Sequence, residues 1–247
     1  MTDQAAFWRL EFYESVGSTS DMCRERAALG EPEGFAVRAG WQTAGRGSRG
    51  REWLSESGNL FLSMLLRPSD PAHEAGLWAL LAGVAVAQAL DRPDIALKWP
   101  NDILRNGKKL GGILIETRVG AEGRLDWLVI GIGLNLRTAP IIEGRDIAAL
   151  LQTTDVELLG GAVLARITAL RDLRKSQGWG PIRAAWLAHA LPPGNAMTLR
   201  QQDRLIAGRF AGLGEDGSLL LDTDGRVQAF STGEIWPTPG FWETSAC

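Results

Sequence analysis

Apolar positions along the chain fall into two rhythms. Short runs of strand length occupy residues 8–13, 35–38, 60–66, 95–98, 110–117 and 127–136, the lengths expected of half-buried or buried strands. A nearly unbroken apolar stretch at 75–90, a helically spaced one at 155–177 and a shorter one at 181–191 predict helices. Ser18-Thr19-Ser20-Asp21 supplies N-cap candidates for a helix to about Leu29, which Gly30-Glu31-Pro32 ends. Thr154-Asp155-Val156-Glu157 offers a capping-box pattern at Asp155, and Pro181 opens the last helix. Arg105-Asn106-Gly107 and residues 120–123 read as hairpin connections. The expected fold class is therefore α+β, a mixed, mostly antiparallel sheet flanked by helices.

At Pro192-Pro193-Gly194 the pattern changes to short strands at turn spacing, residues 196–200, 205–213, 218–222 and 227–231, separated by Gly214-Glu215-Asp216-Gly217 and Thr223-Asp224-Gly225. This predicts a small β-barrel, too small to be stable alone and so packed on the larger unit. The expected division is 1–192 and 193–247.

Composition narrows the function. The chain has 247 residues, 45% of them hydrophobic, with a net charge of −3, enough for a proper core and without the basic excess of a general nucleic-acid binder. Cys23 and Cys247 are the only cysteines and His73 and His189 the only histidines. That leaves no disulfide framework, no transition-metal ligand set and no histidine triad, and points to a reducing, cytoplasmic setting. No signal peptide is evident. The apolar stretch 75–90 is shorter than the ~20 residues of a membrane span and reads as a buried helix.

Chemistry concentrates in a few segments. Gly45-Arg46-Gly47-Ser48-Arg49-Gly50-Arg51-Glu52-Trp53 satisfies G-x-G-x-x-G, yet a strand rather than a helix follows it, so the dinucleotide reading fails. Glycine flexibility with three arginines against one glutamate suits wrapping an anion, although such a loop alone is also a common solvated turn. Lys98-Trp99-Pro100-Asn101-Asp102 puts a cation, an amide and a carboxylate at a strand exit. Lys108-Lys109-Leu110-Gly111-Gly112 and Gly131-Ile132-Gly133-Leu134-Asn135 put glycines inside strands, where a ligand or another backbone approaches closely. Gly107-Lys108 lacks the upstream glycine of a P-loop.

These segments, with the Ser18-Thr19 turn and the C-terminal Thr232-Gly233-Glu234-Ile235, occur in the order and with the spacing of the biotin protein ligases, which the chain closely resembles over nearly its whole length. The resemblance implies a class II synthetase-like catalytic domain with an SH3-like C-terminal barrel. It also implies ATP-dependent activation of biotin to biotinyl-5'-AMP, with Mg²⁺ screening the triphosphate, and transfer to a lysine of a biotin carboxyl carrier protein. Lys109, Asp102 and Arg46 are the catalytic residues implied. Ser18, Thr19, Ser20, Gln42, Gly45, Arg46, Gly47, Ser48, Lys109, Gly111 and Gly112 would hold biotin, and Arg49, Arg51, Trp53, Lys98, Asn101 and Asn135 the nucleotide. No protein-held metal is expected. For Asp102 the role is to orient the acceptor amine and receive its proton.

Two departures stand out. Ser20 stands where the family often has asparagine, and Ser48 where many members have arginine, which implies weaker retention of the adenylate. Too few residues precede the first strand for a helix-turn-helix, so no DNA-binding role is expected. Exposed strand edges give two copies a way to pair. A lipoate or octanoate ligase shares the fold and chemistry and remains an alternative, as does a non-enzymatic phosphate or nucleic-acid binder built on the basic loop.

Overall fold

The computed structural model describes residues 7–144, 146–151 and 154–236. Cys247 and the chain beyond Trp236 lie outside them. Seven strands, β1 (Arg9–Val16), β2 (Phe35–Gln42), β3 (Leu60–Leu66), β4 (Ile95–Lys98), β5 (Asp102–Arg105), β6 (Lys108–Val119) and β7 (Leu125–Leu134), form one sheet in the order β1-β2-β3-β7-β6-β5-β4. β1 and β2 are parallel because α1 (Thr19–Ala28) crosses between them, and every other neighbouring pair is antiparallel. This is the expected mixed α+β sheet.

Side-chain alternation along the strands assigns its two faces. Leu62, Met64, Ile113, Ile130 and Ile132 point to the main core with α2 (Ala75–Leu90), α3 (Val156–Gln177) and α4 (Gly180–Ala188). Their neighbours Leu65, Val129 and Trp127 face the other way, onto Cys23 and Ala27 of α1. α1 covers only part of that second face, and the uncovered part becomes the pocket. α2 is buried along Leu77 to Ala87, as its unbroken apolar run requires. Truncating Leu81, fully buried there, costs about 2–5 kcal/mol.

Local chemistry explains most boundaries. Ser18 caps α1, its hydroxyl accepting from Asp21 N. At α3 the cap is Asp155, whose carboxylate accepts from Glu157 N and Leu158 N, so Thr154 is not the capping residue of the box pattern. Asn106 and Gly107 both take positive φ, +47° and +76°, the turn that an Asn-Gly hairpin requires. Strand β5 has no counterpart among the expected strands. Its four residues are too few to show alternation, and β5 forms because β4 and β6 both pair with it.

β8 (Ala196–Gln201), β9 (Arg204–Leu213), β10 (Leu219–Thr223), β11 (Arg226–Phe230) and β12 (Glu234–Trp236) form a second, antiparallel sheet in the order β11-β10-β9-β8-β12. Met197, Leu199, Phe210, Leu219, Leu221 and Ile235 join the same buried cluster as α2. Gly217, at φ +80°, lies so close to α2 that a Cβ there would stand 2.8 Å from Leu77 Cδ2. Its carbonyl accepts from Trp99 Nε1 at 3.1 Å, tying the small sheet to the β4–β5 turn.

Candidate active site

The pocket floor is bare backbone. Gly112 on β6 pairs with Gly133 on β7, and Gly131 lies one pair further along the same face. The groups that approach these glycines are side chains of this protein. A Cβ on Gly133 would stand 2.7 Å from the Trp53 indole and one on Gly131 2.4 Å from Ser20 Oγ. Gly111 faces the opposite way, where a Cβ would meet Leu134 Cδ2 at 2.4 Å and the Gly133 carbonyl at 2.5 Å. It shapes the sheet and does not line the pocket, contrary to the expectation that it holds biotin. The cavity spans about 890 Å³ of empty space, its open mouth included.

One end of the pocket is neutral and polar. Gln42 Oε1 accepts from Thr19 N at 2.9 Å and from Thr19 Oγ1 at 3.1 Å. Ser63 Oγ, fully buried, hydrogen-bonds Thr19 Oγ1 at 2.8 Å and Ser20 Oγ at 3.0 Å. Ser18 both caps α1 and lines the pocket, so the structural and the binding readings of this turn hold together. Hydroxyls and an amide offer donors and acceptors without charge, the chemistry a neutral polar ring needs.

The other end is ionic. Asp102, at the start of β5, lies between Lys98 Nζ, 2.9 Å away, and Lys109 Nζ, which donates a very short hydrogen bond to its other oxygen. Burial alone would push this carboxyl up, but the two ammonium groups outweigh burial and hold it below the usual carboxylate range. Lys98 also donates to the Ile235 carbonyl at 3.4 Å. Glu234 of β12 accepts from Arg51 at 2.8 Å and Arg49 at 3.1 Å. Burial pushes Glu234 up, and the two guanidinium groups outweigh it to hold this carboxyl low.

Between the ends lies the arginine-glycine segment, folded as a small hairpin by Trp53 N to Gly45 O at 2.9 Å and Gly47 N to Arg51 O at 2.7 Å. Its tip is a short 3₁₀ turn, Ser48–Gly50, in which Arg49 has φ +60°. Ser48 Oγ accepts from Arg51 at 3.1 Å. Arg46 reaches neither lysine but bonds Asp21 and Glu116, both at 2.6 Å.

Of the expected residues, Ser18, Thr19, Ser20, Gln42, Arg46, Gly47, Ser48, Arg51, Trp53, Asn101, Lys109, Gly112 and Asn135 share this one cavity. Lys98 and Asp102 stand behind Lys109, and Gly45 is packed under the Trp53 carbonyl, with 2.4 Å for a Cβ. Trp53 Nε1 and Asn135 Oδ1 are buried without a partner, a donor and an acceptor left for a ligand. Sequence reasoning placed none of Ser63, Asp21, Glu116 and Glu234 in the site, and took Asp21 only as a helix-capping candidate. Ser63 carries a usable signal, a polar residue at the centre of an otherwise apolar strand. Among the described residues no three His, Cys, Asp or Glu side chains converge on a metal position.

The chain is 35% identical over 238 residues to the bifunctional ligase/repressor BirA of Bacillus subtilis, an alignment covering 92% of this chain and 73% of that one. It is 34% identical over 218 residues to the biotin–[acetyl-CoA-carboxylase] ligase of Paracoccus denitrificans, covering 81% and 89%. A biotin protein ligase from Aquifex aeolicus in complex with biotin and ATP superposes with a TM-score of 0.76 at 28% identity, covering 92% of this chain and 97% of that one. Residues 13–135 match the Biotin/lipoate A/B protein ligase family. The chain belongs to this family, on its biotin protein ligase branch.

Proposed function

We propose that the protein activates biotin with ATP to biotinyl-5'-AMP and transfers the biotinyl group to a lysine of a biotin carboxyl carrier protein. The observation that carries this reading is the polarity of this cavity: an uncharged hydroxyl and amide end, a glycine floor under Trp53, and a lysine-carboxylate end under an arginine hairpin. The ureido ring belongs at the neutral end, with Ser18, Thr19, Ser20 and Gln42, and Ser63 holding those hydroxyls in place. Biotin's carboxylate and the nucleotide belong at the ionic end, near Lys109, Arg51, Trp53, Asn101 and Asn135.

In the first step a carboxylate oxygen of biotin attacks the α-phosphorus and pyrophosphate leaves. Lys109 is suited to stabilise charge on the phosphoryl oxygens as a compact point charge, and Arg51 as a forked donor. Mg²⁺ arrives with the triphosphate, its natural carrier. In the second step the acceptor amine attacks the anhydride carbonyl, the carbonyl–oxygen bond to the phosphate breaks so that AMP leaves, and the proton shed by the amine passes to the Asp102 carboxylate and on to solvent. Asp102 is too acidic to be a strong base, so it mainly orients the incoming amine, drawing it in as a third partner beside the two lysines. The hairpin excludes water that would hydrolyse the anhydride.

Incubation with biotin, MgATP and a carrier domain, read by mass spectrometry, tests the reading. One biotinyl group on one lysine supports it, and no product counts against it. Thermal shift with biotin plus ATP against lipoate plus ATP separates the related acyl ligases. Self-association through strand edges is a further part of the proposal, read by light scattering.

A further inference from the structure

The three arginines of the hairpin serve two different places. Arg49 and Arg51 turn to Glu234 at the ionic end. Arg46 turns the other way and bridges α1 to β6, one guanidinium nitrogen on Asp21 Oδ1 and the other on Glu116 Oε1. Asp21 follows Ser20 in the first turn of α1. Glu116 lies four residues beyond Gly112 on the same face of β6, about 13 Å along the strand. Lys109 Nζ, by contrast, stands 3.6 Å from where a Gly112 Cβ would be. The Arg46 head group therefore closes the hydroxyl end of the pocket, a strand's length from the reacting centre. This geometry does not suit the catalytic role that the resemblance implies for it.

Two details distinguish a latch from a permanent brace. Glu116 is partly buried, its side chain 14% exposed, and its second oxygen has no hydrogen-bond partner, so Arg46 is its hydrogen-bonded counter-charge. Arg24 lies 2.7 Å from Asp21 and 3.9 Å from Glu116, so both acids keep a cation when Arg46 swings away. Opening is thus unfavourable without being prohibitive. The hairpin's own hydrogen bonds, and the Arg46–Glu52 bridge, transmit any motion of Arg46 to Ser48 and Trp53.

We propose that Asp21 and Glu116 are positioning residues that latch Arg46, and with it hairpin 45–53, across the ring-binding end of the pocket, setting how long biotin and its adenylate stay bound. The latch rests on the biotin ligase reading above and leaves the phosphoryl chemistry at Lys109 unaltered. Asp21→Asn, Glu116→Gln and Arg46→Gln in the full chain test it, alone and combined, with biotin Kd by calorimetry and pyrophosphate release for KM and kcat. Asp21→Asn and Glu116→Gln are each expected to weaken biotin about 3- to 10-fold, as for partly exposed ion pairs, with kcat at saturation within about twofold, and Arg46→Gln, which also removes a pocket-lining side chain, to weaken it at least as much. The triple variant should bind no worse than Arg46→Gln alone. Added salt should weaken biotin binding by the native chain and have less effect on the triple variant.

Native-like affinity in Asp21→Asn and Glu116→Gln, a loss of kcat rather than affinity in either of them, or an unchanged salt slope in the triple variant overturns the latch. If the native chain binds no biotin, the ligase reading itself falls, a result distinct from native binding that the variants leave unaltered. Should Glu116→Gln fail to fold, Asp21→Asn, at the more exposed of the two acids, decides the question by the same affinity and salt measurements.

Discussion

The two ends of the pocket solve opposite problems with opposite materials. At the hydroxyl end, short side chains on regular elements, the α1 N-terminus, β2 and β3, make a closed network of buried hydrogen bonds that carries no charge. At the lysine end, Lys98, Asp102 and Lys109 sit around a tight turn and compensate one another's charge, and Lys98 also donates to the Ile235 carbonyl of β12 in the second sheet, more than a hundred residues away. A neutral network on rigid elements discriminates by shape and by donor-acceptor pairing. A charge cluster on turns concentrates electrostatic stabilisation where charge develops.

Breaking the ionic end should have the largest effect. Asp102→Ala is expected to slow transfer to the carrier about 100-fold and adenylate formation much less, measured by single-turnover assays of each step. Equal losses in both would remove Asp102's place in transfer. At the neutral end, Gln42→Ala strands Thr19 N and should raise the biotin KM about 10- to 30-fold with kcat nearly unchanged. A fall in kcat of similar size would mean that the network also shapes the reacting geometry.

Ser48→Arg adds a cation to the hairpin tip and should slow adenylate release about 10-fold, the effect of one charge-assisted hydrogen bond. Because Ser48 also supports Arg51, an unchanged release rate would show that the two effects cancel or that the added cation does not matter. Glu234→Gln should raise the KM for ATP about 3- to 5-fold, a modest figure because its arginine partners are half exposed. The smallest effect is on stability against pH. Asp102 is held below its unfolded value, so its contribution is present above about pH 4 and lost as pH falls through its folded value. The stability gap between the native chain and Asp102→Asn should therefore shrink under acid titration, and a gap constant down to pH 2 would contradict the ion-pair account.

Legibility in the sequence followed the range of the forces involved. The helices at 75–90 and 155–177, the cap at Ser18 and the Asn106-Gly107 turn are local matters, written in periodicity and in side chains that bond their own backbone. Most of the pocket residues were legible too, because glycines within strands and cations beside them are unusual in composition. Gly111 misled, since two adjacent glycines in a strand face opposite ways and only Gly112 can face the pocket.

The order of elements apart from β5, the mixed sheet, the second sheet after Pro192 and the stock of chemical groups were settled by the amino-acid sequence, because backbone preference and burial act over a few residues at a time. Which groups meet was decided only by the tertiary structure. Arg46 finds Glu116 seventy positions away, and Arg51 finds Glu234 183 positions away. Ion pairs have no periodicity and no fixed spacing. They form wherever packing of the apolar faces happens to bring opposite charges within reach, and that packing exists only once the sheet, the helices and the second sheet have assembled.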